Sequence, residues 1–568
     1  MTGLSPGPTR NGPYTADVII VGAGPVGLVA AMDLDARGIS VILVEQRPFL
    51  QPPSVKCNHV AARTMERFRR LGVAGQVRMA GLPADYPHDV AFRTTLTGKE
   101  LTRIPIPPSG ERYTSATGPD TEWATPEPPH RINQTFLEPL LVRHVAGLPH
   151  VTLLNTTRYA GLTQDDSGVS ATITDLDGAS RRLLRARFLI GADGGRSAVR
   201  GQIGAKLQGD AVIQHVQSTC IRAPGLYDLM PGRRAWGYYA YNSRRKGHVY
   251  SIDGHETFLV HNHLAAEEAA SGSADRDWCI RAILGVDDSF RYEVVSKEDW
   301  VARRLVADRF RDGRVFIAGD AAHLWVPYGG YGMNAGIADV LNLTWTLGAI
   351  LDGWAGPAMI DAYEAERLPI TAQVSKFAMS HAERVIRNRH AVPQRIEDDT
   401  EEGELARAAF GRQAYDLNVQ QFAAAGLNFG YSYDSSPIIS YDGEPAPEYT
   451  MGSYSPATAP GCRAPHFWLE PGVSLYDRFG RGYTLLRLDQ SVDAGPLTAA
   501  AAAAGVPFAV IDVPVGAAPA EYKHALVICR EDQHVAWRGD AAPADPAALV
   551  DLLRGSVTGW PPAQPGAS

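Results

Sequence analysis

A short apolar run, Asp17-Val18-Ile19-Ile20-Val21, leads straight into Gly22-Ala23-Gly24-Pro25-Val26-Gly27, and this junction restricts the fold more than any other stretch of the chain. β-Branched residues without polar alternation suit a strand buried on both faces, as in a parallel sheet. Leu28 to Arg37 has helical character, Gly38 stops it, and Ile39 to Val44 reads as a second buried strand ending in Glu45 and Gln46. Strand, glycine turn, helix and strand in that order make a βαβ unit. Gly22 permits the tight turn, Gly24 lets backbone amides approach a diphosphate, and Gly27 lets the helix pack close on the strand. The helix N-terminus, with Pro25 and Val26 at its start, offers unpaired N–H groups and a positive dipole end to an anion. Glu45 stands about twenty residues on, where an acid accepts hydrogen bonds from an adenosine ribose. A GxGxxG by itself says little, but the complete unit predicts a dinucleotide site. It does not distinguish a nicotinamide from a flavin.

Two later segments narrow that choice. Arg187-Phe188-Leu189-Ile190-Gly191-Ala192-Asp193-Gly194 is a strand ending in an acidic, glycine-rich turn. Arg314-Val315-Phe316-Ile317-Ala318-Gly319-Asp320 is another strand, closing on Gly-Asp, and the loop Pro327-Tyr328-Gly329-Gly330-Tyr331-Gly332-Met333-Asn334 follows it. Ala335 to Leu351 then has helical spacing of apolar residues.

In this order and at these separations, the three motifs resemble the signatures of the class A flavin monooxygenases. These are the para-hydroxybenzoate hydroxylase-like, single-component aromatic hydroxylases. The resemblance implies FAD as cofactor and NADPH or NADH as reductant. It assigns Asp320 to the ribityl chain, and Asp193-Gly194 to FAD and to the reduced nicotinamide. It lays the loop from Pro327 through Gly330, Gly332, Met333 and Asn334 against the isoalloxazine ring. The following helix would turn its N-terminus to the flavin N1–C2=O edge, where its dipole favours negative charge. Arg63, in Arg63-Thr64-Met65-Glu66, matches an arginine-led helix near the flavin, and Gln134 matches a glutamine that contacts FAD. Tyr363-Glu364-Ala365-Glu366-Arg367-Leu368-Pro369 is similar to the family's helix end after the FAD domain. Lys56 departs from the pattern, which has arginine there; lysine keeps the charge and loses the planar fork.

The fold class expected is α/β: a Rossmann-like FAD-binding domain, an inserted β-sheet substrate domain and a C-terminal thioredoxin-like α/β domain. Residues 15–204 and 298–400 would form the FAD domain after a disordered lead-in at 1–14. Residues 205–297, with parts of 85–130, would form the substrate sheet, because alternating runs such as Trp236 to Tyr241 and His248 to Ile252 suit antiparallel strands. Residues 401–436 read as a helical linker. Residues 437–560 resemble the thioredoxin-like domain of the phenol and polyketide hydroxylase branch, without its redox CxxC. A structural or homodimer-supporting role is the reading preferred for that domain.

The reaction implied is reduction of FAD by NADPH or NADH, capture of O₂ as the flavin C4a-hydroperoxide, and attack on it by an ionised phenol. Such chemistry needs a dry pocket, a cradle for the flavin and a way to deprotonate the phenol. Only the last is not written in the motifs. His261 and His263 are two apart, so a strand puts both on one face, and Tyr239 and Tyr241 share a face in the same way. These four, with Pro327 at the head of the loop, are the catalytic candidates, although packing roles are commoner for such residues. A metal at His255, His261 and His263 lacks a supporting ligand cluster, and a structural role is expected for His323. Arg233-Arg234 and Arg244-Arg245 read first as solvated faces and second as carboxylate clamps. Baeyer–Villiger insertion or epoxidation on the same fold, a flavin reductase or oxidase, and a non-catalytic flavoprotein are the alternatives.

The net charge of -8, with no basic block against it, argues against a nucleic-acid partner. No apolar run approaches the ~20 residues needed to cross a bilayer, and the five scattered cysteines include no CxxC. A cytoplasmic enzyme acting on a small aromatic substrate, with O₂ as co-substrate, is the expectation.

Overall fold

The computed structural model describes residues 15–56, 58–326 and 328–556; the lead-in expected at 1–14 and Pro327 lie outside these residues. The strand Ala16–Val21 is buried at all six positions because it runs between two parallel neighbours, Val41–Val44 and Arg181–Gly191. Val315–Ile317 adds in parallel on the far side of Arg181–Gly191. The registers explain why three motifs so far apart in sequence belong together. Val21 pairs with Gly191, and Gly191 pairs with Ile317. The carboxyl ends of the three strands therefore stand level, and the turns that follow all open on the same edge of the sheet, where parallel α/β sheets place their ligands.

Gly22 and Gly27 of the first motif meet steric demands that no other residue satisfies. Gly22 has φ +102°, and a Cβ there would lie 2.3 Å from the Ala192 carbonyl oxygen. A Cβ on Gly27 would lie 1.9 Å from the Gly22 carbonyl oxygen, so strand and helix could not close.

A second sheet of eight strands runs, in spatial order, His323–Leu324, Glu293–Ala307, Leu207–Arg222, Thr257–Leu264, Lys246–Ser251, Gly237–Tyr241, Val90–Arg93 and Glu100–Ile104. Its registers set Tyr239 opposite His248, His248 opposite His261, and His261 opposite Ser218. Directly opposed residues share a face, and His263, two along from His261, joins them. The helix Glu401–Phe422, capped by the Thr400 side chain, packs on the Glu100–Ile104 edge.

The C-terminal unit has four strands in the order Phe508–Asp512, Tyr483–Arg487, Leu526–Arg530 and Val535–Gly539. The first pair is parallel and the others are antiparallel. The helices Gly495–Ala503 and Pro546–Leu553 cover one face and share a core with Trp345 and Met359 of the first unit. This is the thioredoxin-like pattern. No helix among the described residues is long and apolar enough to cross a membrane.

Candidate active site

The level strand ends and the second sheet enclose a cavity of about 570 Å³. A cleft between the first and C-terminal units holds only about 60 Å³, so the larger space is where a ligand of cofactor size belongs. Its floor is made by Gly24, Pro25 and Val26 of the first motif, Ala192 and Gly194 of the second, and Ala318 and Asp320 of the third. Gly330, Gly332 and Met333 of the loop form one side, and Lys56, His59, Arg131 and Gln134 another. Above lie Trp236, Tyr239, His248, Tyr250, His261 and His263, with Trp300 and Phe422 completing an aromatic roof.

The floor fits a flavin dinucleotide on several independent counts. A Cβ on Gly24 would meet nothing within 4 Å, so the backbone there is open to an approaching group. The helices Pro25–Ala36 and Gly332–Leu351 both begin at this cavity, and neither has a side-chain cap; their first N–H groups are left for a ligand. Asp320 faces the cavity while ringed by protein. Burial raises its pKa, and the charges of His323 and Lys56 oppose the rise. Glu45, by contrast, does not line this cavity: it borders a separate space of about 10 Å³, and its carboxylate accepts from the Ala23 amide at 2.8 Å and from Arg47.

The Gly-Asp turn is braced from behind. Asp339 accepts from the Gly319 amide at 3.2 Å and from Arg367 Nε at 3.0 Å, and its Oδ2 lies 2.7 Å from His323 Nε2. His323 is 1% exposed and sits behind the Gly-Asp turn rather than in the cavity lining.

The histidines of the roof face are uncharged. Burial pushes the His261 pKa down to about 4, and His248 and His263 are held well below the ordinary range by burial first and the Arg389 charge second. His261 Nδ1 lies 2.6 Å from Ser218 Oγ, to which Trp300 Nε1 donates at 2.7 Å. Neither ring nitrogen of His263, nor Nε2 of His248, has a hydrogen-bond partner among the described residues. The Tyr239 hydroxyl lies 3.4 Å from that of Tyr250 and accepts from Gln421 at 3.4 Å.

Comparison with known proteins agrees with this geometry. The FAD binding domain family matches residues 15–378, and the C-terminal domain of aromatic-ring hydroxylases matches residues 457–559. Phenol 2-monooxygenase of a Pseudomonas species is 28% identical over 96% of this chain and 94% of its own. Aklavinone 12-hydroxylase RdmE of Streptomyces purpurascens is 30% identical over 95% of this chain and 98% of its own. The chain belongs to the FAD-dependent aromatic monooxygenases. Among solved structures, that of the rebeccamycin biosynthetic enzyme RebC with reduced flavin superposes on this monooxygenase with a TM-score of 0.86. It is 35% identical, covering 96% of this chain and all of that one.

Several residues expected at the monooxygenase site face elsewhere. Arg63 does not line the cavity. It donates to the Tyr431 hydroxyl at 2.5 Å and to the Asp532 carbonyl at 2.8 Å, tying its helix to the C-terminal unit. Asn334 is 3% exposed, and its amide is fully used: Ala61 N and Thr64 Oγ1 donate to it, and it donates to the His59 and Gly330 carbonyls. It fixes the loop rather than opening on the cavity. Asp193 caps the short helix that follows, accepting from Ser197 Oγ and the Ala198 and Val199 amides, so Gly194 alone of that pair reaches the space. Tyr241 is 1% exposed and packs edge-on against Phe410, beyond the cavity wall. Gln46 is exposed past the strand end. Lys56 lines the cavity and pairs with Glu298 at 2.5 Å. Arg244 and Arg245 pair with Glu397 and Glu268, and Arg233 and Arg234 also lie outside the cavity lining. His255 is exposed at a turn, apart from His261 and His263.

Arg131, His248, Trp236 and Phe422 line the cavity although no motif in the sequence singles them out. His248 carried a usable signal, since it alternates with Tyr250 in a strand-like run. Phe422 carried none, because it closes the pocket from a helix read as a linker.

Proposed function

We propose that the protein hydroxylates a phenolic ring carried on a flat, fused-ring substrate, using FAD, O₂ and NADPH or NADH. One observation carries this reading: a single cavity has the three dinucleotide motifs as its floor and an aromatic, histidine-bearing sheet as its roof. Phenol and aklavinone appear in the names of two relatives, and five large aromatic side chains of the roof (Trp236, Tyr239, Tyr250, Trp300 and Phe422) suit a planar polycycle better than a small benzoate.

In this reading the amides after Gly24 hold the diphosphate, Glu45 the ribose and Asp320 the ribityl chain. Gly22 and Gly27 shape the turn, and Gly319, Gly330, Gly332 and Met333 shape the cradle, with Gln134 at its side. Bound FAD, once reduced, supplies the activation of dioxygen. The N-terminus of Gly332–Leu351 favours negative charge at the ring edge it faces, and the roof keeps water out. Neutral His261, His263 and His248 orient the substrate's oxygens. Residues 15–204 with 298–400 serve the cofactor, and 205–297 with parts of 85–130 serve the substrate. Residues 401–436 join these to the domain of 437–560, whose role is structural and, in a homodimer, supporting. The enzyme works in the cytoplasm.

The test is oxidation of NADPH and NADH by the FAD-loaded protein with single-ring phenols and fused-ring phenols and naphthoquinones, products being weighed. Faster oxidation and a product heavier by one oxygen, favouring fused rings, is expected. Peroxide as the only product with every aromatic compound would overturn the reading.

A further inference from the structure

The roof histidines leave a question open, because a base whose pKa is about 4 is mismatched by roughly six pH units to a phenol near 10. We propose that Arg131 supplies the positive charge that ionises the substrate's phenol as it binds, so that the cavity takes phenols as phenolates. The inference rests on the aromatic-hydroxylase reading, in which an ionised phenol reacts, and assigns the residue whose charge ionises it.

Arg131 is 4% exposed and lines the cavity at the seam between floor and roof. One Nη is hydrogen-bonded to His59 Nδ1. His59 packs so tightly on the flavin-side loop that a Cβ on Gly330 would lie 2.9 Å from it. On the other side, the guanidinium carbon stands 4.8 Å from the ring centre of Trp236 in the roof and 5.9 Å from that of Phe422. In the hydroxylase reading this seam, between the motif floor and the aromatic roof, is where a bound flavin and a bound aromatic ring would adjoin.

The charge of Arg131 is poorly compensated. Its Nη2 is 4.0 Å from Asp120 Oδ2, but the same oxygen is 2.8 Å from Arg112 Nη2, so two guanidiniums share one carboxylate. His59 and His130, its other titratable neighbours, are held neutral by burial, helped by the nearby arginines. From the roof, Tyr239 and Tyr250 present hydroxyls. Lys56, the other cation of the lining, is satisfied by Glu298. Burial brings the Arg131 pKa down to about 10, which leaves it positive at neutral pH. A buried cation that shares its one carboxylate with a second guanidinium is costly until another anion joins it, and a phenolate entering the seam is that anion. The phenol's proton leaves to bulk water on entry, and no base of matched pKa is required. An opposite charge within about 4–6 Å lowers an acid's pKa by about 1–3.

The same charge would also suit an anionic flavin edge, and the test separates the two. 4-Nitrophenol, whose phenolate absorbs in the visible, is titrated against pH in the FAD-loaded wild type, Arg131→Met and Arg131→Lys. Flavin midpoint potentials are measured in the same three proteins. In the wild type, half-ionisation of bound 4-nitrophenol should fall by about 1–3 pH units below that of the free compound. Arg131→Met should abolish that fall, Arg131→Lys should keep most of it, and the flavin potential should stay put. A wild type that hydroxylates phenols yet leaves bound 4-nitrophenol with its free half-ionisation pH overturns the proposal alone, whatever the variants do. A substitution effect confined to the flavin potential overturns it as well. Absence of product from every phenol would instead sink the hydroxylase reading beneath it.

Discussion

Gly22 and Gly24 stand two apart in one motif, but a methyl group added to each meets different surroundings. At Gly22 it collides with the Ala192 carbonyl in a left-handed turn, whereas at Gly24 it enters open cavity from an ordinary backbone conformation, φ -73°. Gly22→Ala should therefore lower the melting temperature of the apoprotein. Gly24→Val should leave that temperature within a few degrees while weakening FAD binding at least about tenfold, a loss of about 1.4 kcal/mol. Melting curves and FAD titration check both, and a Gly24→Val protein that binds FAD normally would remove the diphosphate from this turn. The turn positions of Gly22, Gly24 and Gly27 and the strand-end positions of Glu45 and Asp320 were legible because each meets a local requirement of the backbone. Asp339 was not: an acid inside an apolar helix signals only that some partner exists, and His323 and Arg367 come from two other segments. Tyr241 and Asn334 misled for the same reason, since alternation and loop membership fix a face and a neighbourhood but not what lies behind them.

At the scale of elements, the helix Met359–His390 is fastened to the C-terminal strand Leu526–Arg530 by Glu366 and Arg530. The guanidinium donates to the two carboxylate oxygens at 2.5 and 2.9 Å, with both side chains fully buried. Arg530 also lies 4.5 Å over the Trp345 ring and pairs with Asp532. Removing one partner strands a buried charge, so Arg530→Met should cost about 3–5 kcal/mol, and Arg530→Met with Glu366→Met together should cost clearly less than the two single changes added. Denaturant unfolding of the four proteins measures this; strict additivity would mean the pair does not couple the units. The strands at 17–21 and 39–44 were plain in the sequence as continuous apolar, β-branched runs, whereas Val151–Leu154, which pairs in parallel with Val41–Val44, was not read from it. The helix Glu401–Phe422 was visible as a helix, but its contribution to the pocket through Gln421 and Phe422 was not, because it depends on docking against a sheet edge far away in sequence.

For the whole molecule, the folded state keeps many histidines neutral. His130, His261, His381 and His466 are pushed down to between about 3 and 4, and His59, His88, His248, His263 and His534 are also lowered, by burial first in every case. The unfolded chain binds protons at these sites as pH falls below about 6.5, whereas the folded chain does not. Stability is therefore complete above that pH and is lost on acidification toward pH 4, with a limiting slope of about 1.4 kcal/mol per pH unit for each such histidine. Melting temperature should fall steadily between pH 6.5 and 4, and a flat or rising profile would show that these rings are protonated in the folded protein. The central claim is that one cavity brings FAD, dioxygen and an aromatic ring together, and isotopically labelled dioxygen tests it most directly. With NADPH or NADH and a phenol that stimulates turnover, the FAD-loaded protein should place one labelled oxygen atom in the product and the other in water. Product oxygen drawn from solvent, or label recovered only as hydrogen peroxide, would contradict it.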